Sequence, residues 1–310
     1  MPFKDKNYWA LILGGSSGIG LASAKKLASL GMNIAVVHRD RRGAMANIEK
    51  EFDTIRQEGI QLETFNVNGL SQSGREEVVS GLKDKIKTGG IRLVLHSIAL
   101  GNLKLIAPLK EKNNDTLTKL ATKLDVPLGD LQGKIDDLFE DGASDLVHLA
   151  STPEYSNENF TGEEDLCETI KNMGTNILSW AQDILKAQLF VDDARILGLT
   201  SEGNEIAWKG YAAVAAAKSA LESVSRAMAV EFAPYGLRSN ILQPGITNTP
   251  ALRLIPGSSH MKASAMERNP FGRITEPEDV ANVVALMSQN EAGWINGAII
   301  RVDGGEHISG

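Results

Sequence analysis

The stretch Leu11–Gly20, LILGGSSGIG, decides the fold of this 310-residue chain. The apolar run at 9–13 predicts a buried strand, and residues 21–30 are apolar at helical spacing. A glycine turn between them would form a phosphate cradle, because the backbone can approach an anion and the free N–H groups of the helix face it. A turn that uses glycine for steric reasons alone is the alternative. The glycines are Gly14, Gly18 and Gly20.

Composition narrows the class of protein. Hydrophobic residues make up 42% of the chain, enough for a sizeable core, and the formal net charge of -7 argues against a nucleic-acid-binding surface. A single cysteine, Cys167, excludes an intramolecular disulfide. Neither a signal peptide nor an apolar run of membrane-spanning length is evident. We expect a soluble, cytoplasmic protein.

Strand and helix patterns continue to alternate after the glycine turn. Further buried strands are predicted at 34–37, 62–67 and 91–98, and amphipathic helical segments separate them. This alternation predicts an α/β fold with a doubly wound parallel sheet, Rossmann-like, in a single domain over 1–310.

The end of the second strand bears on cofactor choice. An acid at this position would accept hydrogen bonds from the ribose hydroxyls of NAD, but His38 and Arg39 stand there instead. Together with Arg41 and Arg42 they would neutralise a 2′-phosphate, which favours NADPH and leaves NADH possible. A solvated basic loop is the alternative, since Asp40 offsets part of the charge.

The segment 210–236 carries the chemistry. It is a strong helix former, and Tyr211 and Lys218 lie seven residues apart, close to two turns, so both side chains are predicted on one face. A buried cation would lower the pKa of a tyrosine towards that of a useful proton donor. The fifth strand predicts Thr200 and Ser201 at the same edge of the sheet. No metal ligand set is expected.

These motifs resemble the short-chain dehydrogenase/reductase superfamily over residues 6–98 and 162–305. His-Ser-Ile at 96–98 and the Tyr-x6-Lys spacing are similar to its enoyl-acyl-carrier-protein reductase branch; Val214 occupies the position four residues before the lysine. The compact glycine loop, and Ser201 in place of a second tyrosine, depart from many members of that branch. A smaller NADPH-using group of enoyl reductases combines the compact glycine loop with the longer Tyr-x6-Lys spacing, and this chain resembles that group.

The resemblance implies roles for further residues. Lys218 would hold the nicotinamide ribose, the Ile246 backbone would pair with the carboxamide, and Ser201 would orient the substrate carbonyl. His96 is expected to be a packed histidine rather than a catalytic one, and Asn172 matches, within a residue, an asparagine that holds a water chain. The predicted cofactor-binding residues are Gly14, Ser16, Ser17, Gly18, Ile19, Gly20, His38, Arg39, Asn66 and Val67 (beside adenine), Ser97, Ile98, Lys218, Pro244, Gly245, Ile246, and Thr247 and Thr249 (at the pyrophosphate).

Two segments need separate interpretation. Residues 103–160 have no counterpart in the pattern, and leucines at helical spacing predict an inserted helical hairpin near the active-site edge. A substrate lid, an oligomer contact and a simple extension are its possible roles. The segment 251–266, called here the flap segment, corresponds to a mobile substrate flap in the family, with a surface helix as the alternative.

The resemblance implies NADPH-dependent reduction of the carbon–carbon double bond of an enoyl thioester, carried on acyl-carrier protein or coenzyme A, in fatty acid biosynthesis or other lipid metabolism. A 3-oxoacyl or other ketone reductase is one alternative. A non-catalytic NADPH-binding sensor is the other. Relatives pack the last strand between subunits, so a homo-oligomer, dimer or tetramer, is expected, with no nucleic-acid or membrane partner.

Overall fold

The computed structural model describes residues 1–110, 115–156 and 158–309, and its centre is one sheet of parallel strands. The strands are β1 (Tyr8–Leu13), β2 (Asn33–His38), β3 (Leu62–Asn66), β4 (Gly90–His96), β5 (Phe190–Leu199), β6 (Arg238–Pro244) and β7 (Ile299–Val302). Their order across the sheet is β3-β2-β1-β4-β5-β6-β7. The strand order reverses between β1 and β4, which creates a crevice at the carboxyl ends. The predicted doubly wound parallel sheet is confirmed.

Helices cover both faces of the sheet. They are α1 (Gly18–Ser29), α2 (Met45–Arg56), α3 (Gln72–Lys85), α4 (Asp115–Leu124), α5 (Leu128–Glu140), α6 (Glu163–Thr169), α7 (Asn176–Lys186), α8 (Ala212–Glu231), α9 (Pro250–Arg253), α10 (Ser258–Arg268) and α11 (Pro277–Met287). Helices α1 and α11 share one apolar core with the sheet, and α3, α7 and α8 bury their apolar faces on the other side. Both faces of the strands are therefore apolar, as in a buried parallel sheet.

Strand register brings the candidate residues to one edge. Leu13, the last residue of β1, pairs with Val37 and with His96, and His96 pairs with Gly198 of β5. The loops that leave these strands therefore start at the same level, and the glycine turn, residues 97–98 and Ser201 all lie at the carboxyl edge.

The segment 103–160 contains α4 and α5. Residues 111–114 and 157 of this predicted insertion lie outside the described residues. Phe139 and Val147 of the insertion pack against Ala263 of α10, and the Tyr155 hydroxyl donates to the carbonyl of Pro256 at 3.5 Å. The flap segment thus forms α9 and most of α10, and the insertion covers α10 from outside.

Within the described ranges, no helix combines the length and apolar character that crossing a bilayer requires.

Candidate active site

Tyr211 sits at the start of the long helix α8. It is the N-cap residue, one position before the first helical residue, and its carbonyl accepts a hydrogen bond from the Ala215 N–H at 2.8 Å. Its ring packs on the backbone of Gly203, where a Cβ would lie 2.5 Å from the ring Cε1. Its hydroxyl is 3.4 Å from the Ser201 Oγ. The structure therefore brings together the two hydroxyls that the sequence placed in the active site.

Lys218 is buried two turns further along α8. Its Nζ donates to the Leu199 carbonyl at 2.6 Å, at the end of β5. Burial lowers the pKa of Lys218 to about 8, and the nearby Glu222 carboxylate opposes part of that shift. The ammonium is therefore mostly charged at neutral pH, and it is fixed beside the strand that leads to Ser201.

The prediction that the lysine lowers the pKa of the tyrosine is wrong. Burial and the negative charge of Glu202 raise the pKa of Tyr211, while the hydrogen bond with Ser201 acts in the opposite direction. The physical reason is that the ammonium is held by the Leu199 carbonyl. Tyr211 therefore keeps its proton across the neutral range and is present as a hydrogen-bond donor.

The loop after β5 is anchored by Glu222, which the sequence analysis missed. The Glu222 carboxylate accepts hydrogen bonds from the Thr200 hydroxyl at 2.5 Å and from the Asn204 amide at 2.7 Å. Glu222 lies four residues after Lys218, on the same face of α8, and this spacing was the available signal. The hydroxyl of Thr200 is thus used to hold the loop, and Ser201 is left as the hydroxyl beside Tyr211.

Val214, at the usual family position for the tyrosine, lies in the core. It packs with Met173 and Ala217, and Tyr211 is partly buried against the same cluster. A tyrosine at 214 would need the space of this cluster, so Tyr211 is the donor that the fold allows.

Asn172 lies in a π-helical turn, Ile170–Thr175, between α6 and α7. The turn packs against α8, and the Asn172 amide approaches the Leu100 carbonyl at 3.5 Å. A π turn adds one residue to the α-helical register, which explains why the match to this asparagine was predicted only to within a residue.

The glycine turn has the shape of an anion cradle. Gly14 and Gly18 have positive φ angles of 84° and 53°, and a Cβ at Gly14 would lie 2.8 Å from the Ser97 carbonyl oxygen. A side chain on Gly20 would overlap the Gly14 carbonyl. Helix α1 begins at Gly18, without a side-chain cap from Ser17 and without an acid in its first turn. The amino end of α1, including Ser16 and Ile19, therefore suits a pyrophosphate.

At the end of β2 the structure separates the two predicted phosphate ligands. His38 is buried, its Nδ1 lies 2.9 Å from the Asp40 carboxylate, and its ring meets the Phe52 ring edge-on. Its predicted contact with a 2′-phosphate is therefore wrong, because the imidazole faces the core. Arg39 is exposed and forms no ion pair with any described residue.

The two residues predicted beside adenine and the predicted cofactor-binding residues Ser97 and Ile98 lie at the same edge. Asn66 holds the Asp40 backbone through its amide, and the Val67 N–H donates to the His38 carbonyl at 2.9 Å. The Ser97 N–H donates to the Leu13 carbonyl at 2.8 Å, and Ile98 follows it.

His96, as expected, is a packed histidine. Burial and the Lys218 charge lower its pKa to about 4, and its Nε2 lies 3.3 Å from the Asn176 amide oxygen. It is therefore neutral, and its ring is held within the core.

The turn after β6 contradicts the role predicted for Ile246. The Ile246 N–H donates to the Glu306 carboxylate at 3.2 Å, and its carbonyl accepts from the Thr275 N–H at 3.0 Å. The Asn248 N–H donates back to the Thr275 carbonyl, so in this ladder the N–H and C=O of Thr247 point to the opposite side. Because its own polar groups are occupied, Ile246 cannot pair with a carboxamide.

Two threonines were predicted at the pyrophosphate, and the structure distinguishes them. The Thr247 hydroxyl donates to the Gly245 carbonyl at 2.8 Å, which occupies it. Thr249 caps α9 by accepting the Leu252 N–H, and a Cβ at Gly18 would lie 3.2 Å from its methyl group. Thr249 therefore lies against the glycine turn, as the prediction requires.

Comparison with known proteins now assigns the family. The sequence model described as short chain dehydrogenase matches residues 8–123, and the model described as enoyl-(acyl carrier protein) reductase matches residues 143–307. The chain belongs to the short-chain dehydrogenase/reductase family. It is an oxidoreductase, and membership supports a nicotinamide cofactor, for which the glycine turn and the amino end of α1 fit the pyrophosphate.

Individual relatives extend along the whole chain. A probable 2,4-dienoyl-CoA reductase [(2E)-enoyl-CoA-producing] from Bacillus subtilis is 29% identical over 304 residues, 96% of each protein. A tropinone reductase homolog from Arabidopsis thaliana is 24% identical and covers 98% of this chain and 81% of its own. A short chain dehydrogenase from Burkholderia cenocepacia, solved with NADP, superposes with a TM-score of 0.70 at 20% identity, over 99% of this chain and all of its own.

Proposed function

We propose that this protein uses NADPH to reduce a carbon–carbon double bond conjugated to a thioester carbonyl, in a 2-enoyl or a 2,4-dienoyl thioester. The observation that carries the proposal is the arrangement at Tyr211: its phenol keeps its proton, the Ser201 hydroxyl lies 3.4 Å away, and the Lys218 ammonium is buried on the same helix. The Tyr-x6-Lys spacing and the dienoyl-CoA reductase relative support the choice of substrate.

The cofactor would lie along the carboxyl edge. Its pyrophosphate would meet the amino end of α1 and Thr249, Arg39 would pair with the 2′-phosphate, and Lys218 would hold the nicotinamide ribose. The backbone of Thr247, rather than that of Ile246, would take the carboxamide, since only Thr247 presents both polar groups away from the ladder. When bound, NADPH supplies the hydride.

The side chains of this protein stabilise the charge that the hydride creates. Hydride adds to the carbon of the double bond that is more distant from the carbonyl group. As it does so, negative charge develops on the thioester carbonyl oxygen. The Tyr211 hydroxyl donates to that oxygen and Ser201 adds a second donor, an effect typically worth ~3 kcal/mol for one positioned donor. In a dienoyl thioester the longer conjugated system delivers charge to the same oxygen, so the same two donors serve both substrates.

The flap segment and the insertion contact each other near the site. Helix α10, most of which belongs to the flap segment, packs against the insertion, and the Tyr155 hydroxyl of the insertion donates to the Pro256 carbonyl of that segment. We propose that the insertion acts as a substrate lid through this contact, and that the acyl group arrives on coenzyme A or on acyl-carrier protein.

The substrate class is tested by supplying NADPH with crotonyl-CoA, 2,4-hexadienoyl-CoA or acetoacetyl-CoA at equal concentrations. We expect kcat/KM for one of the two unsaturated thioesters to exceed that for the keto compound at least tenfold. A preference for acetoacetyl-CoA would replace the proposal with ketone reduction. NADPH binding without turnover of any of the three would instead favour a cofactor sensor.

A further inference from the structure

A buried charge cluster connects three distant parts of the chain beside the active site. It consists of three residues, Glu202, Arg268 and Glu306. Glu202 directly follows Ser201, Arg268 is the last residue of α10, and Glu306 lies in the segment after β7. Glu202 and Glu306 are 5% and 1% exposed. None of the three is among the catalytic side chains described above, although the Glu202 charge acts on Tyr211 and the cluster contacts the loops that carry the site.

Arg268 bridges the two carboxylates. Its guanidinium donates to both oxygens of Glu202, at 2.9 and 3.3 Å, and to Glu306 Oε1 at 3.3 Å. A guanidinium is suited to this position because its donors form a planar fork that grips a carboxylate with two bonds. One cation therefore serves two buried anions, and each anion belongs to a different loop.

Glu306 contacts the turn after β6, which the proposed function places beside the cofactor. Its carboxylate accepts the Ile246 N–H, and a Cβ at Gly245 would lie 2.5 Å from Glu306 Oε2, so the turn after β6 rests directly on this side chain. The neighbouring Thr247 is the residue proposed above to take the carboxamide. The position of Glu306 therefore sets the position of this turn.

The other charged groups around the cluster belong to the same region. Asp303 accepts the backbone N–H groups of Gly305 and His307, and the His307 Nε2 lies 3.0 Å from Glu205. Burial together with the charges of Glu202 and Asp303 raises the pKa of Glu306 to about 7, while Arg268 and the Ile246 N–H lower it. Acidic groups outnumber basic groups in and around the cluster. Arg268 is the cation that bonds to both Glu202 and Glu306, so it holds their two loops together.

We infer that Arg268 is a positioning residue: by bridging Glu202 and Glu306 it couples the seating of α10 to the alignment of Ser201 and of the cofactor turn 244–247. The inference rests on the proposed function for the roles of Ser201 and of the turn. Removal of the guanidinium takes away the donor that Glu202 and Glu306 share and leaves two buried acids without a cation, so the contact that holds the two loops together is lost.

The test compares Arg268→Gln with Lys262→Gln, which removes a cation from the same helix outside the cluster. We expect Arg268→Gln to lower kcat at least tenfold with KM changed less than threefold, and Lys262→Gln to match the wild type. The fluorescence of bound NADPH should also fall in Arg268→Gln, because the nicotinamide ring is less firmly held. This second measurement requires no substrate, so it stands even if the thioester assignment fails.

The double variant Arg268→Gln with Glu306→Gln supplies a further criterion. Glu306→Gln keeps an oxygen that accepts the Ile246 N–H and removes one negative charge, so the double variant should recover at least threefold in kcat over Arg268→Gln alone. Wild-type kcat and wild-type NADPH fluorescence in Arg268→Gln would overturn the inference. If Arg268→Gln does not fold, Arg268→Lys is judged by the same two measurements, since lysine keeps the charge and loses the fork.

Discussion

At the residue scale, two adjacent basic residues at the end of β2 have different roles: one packs in the core and the other is free to contact a cofactor. Sequence alone treated His38 and Arg39 as a pair, because both are basic and adjacent. In the structure β2 ends at His38, whose ring is buried against Phe52, whereas Arg39 lies in the loop that follows and is exposed to solvent. We therefore propose that Arg39 alone of the two provides selectivity for the 2′-phosphate.

Arg39→Ala should weaken NADPH binding about tenfold or more and change NADH affinity less than about twofold. The reason is that a charge-assisted hydrogen bond is lost with the 2′-phosphate, typically ~1.5–3 kcal/mol, and NADH has no such group. Dissociation constants from nicotinamide fluorescence measure this. Lys50→Ala, an exposed cation on α2, is the control. Equal losses for both cofactors would refute the assignment.

Lys218 gives the site a pH dependence. Its pKa of about 8 lies below the usual value because the side chain is buried, so the ammonium loses its charge as the pH rises through about 8. We expect kcat/KM to fall on the alkaline side with an apparent pKa near that value. The Lys218→Arg variant stays charged over this pH range, so the kcat/KM that remains should not fall on the alkaline side. A wild-type profile that is flat up to pH ~9.5 would contradict the role of the ammonium.

At the scale of elements, the loop 200–206 and the start of α8 hold each other in place. Glu222 fixes Thr200 and Asn204 from inside the helix, and the Tyr211 ring lies on the backbone of Gly203. This arrangement requires a glycine at 203. The sequence pattern did not identify Gly203, because its role is to make room for the ring of Tyr211, eight residues later.

Gly203→Ala should therefore displace the Tyr211 ring, since the new Cβ would lie 2.5 Å from ring carbon. We expect kcat to fall by roughly 10- to 100-fold, the scale for a misplaced catalytic group, with NADPH affinity kept. Gly133→Ala in α5, where a Cβ would meet nothing within 4 Å, is the matched control and should leave kcat unchanged. Wild-type turnover in Gly203→Ala would show that this contact does not position the phenol.

Elements were predicted well where periodicity is local. The strands, the glycine turn and the helix after Tyr211 follow from apolar spacing, and the structure has them. The π-helical turn at 170–175 and the use of Ile246 by Glu306 could not be predicted, since each depends on a partner from a distant part of the chain. The prediction of a lowered pKa for Tyr211 was wrong for the same reason. The effect of Lys218 on this pKa depends on where its ammonium points, and the hydrogen bond to the Leu199 carbonyl determines that direction.

At the scale of the whole molecule, β7 is an edge strand of the sheet, and apolar side chains are exposed nearby in the sequence. Trp294 is 97% exposed and Ile299, on β7 itself, is 42% exposed. Exposed apolar groups beside an unpaired edge are typical of an interface. We propose that a second copy of the chain covers this edge.

Sedimentation should accordingly show a dimer or a tetramer for the wild type. Trp294→Asp should shift the distribution towards smaller species, because a carboxylate would be buried in the interface, whereas Asp53→Asn, at an exposed site on α2 far along the sheet, should not. A monomeric wild type would rule the proposal out.

The whole account rests on the phenol of Tyr211 meeting the carbonyl oxygen of a substrate beside the cofactor. Single-turnover reduction of the thioester that the wild type prefers, measured with NADPH bound in advance, tests this most directly in Tyr211→Phe. We predict that the rate constant for NADPH oxidation falls by about 10²-fold or more while the NADPH dissociation constant stays within about twofold. A rate equal to that of the wild type would contradict the mechanism.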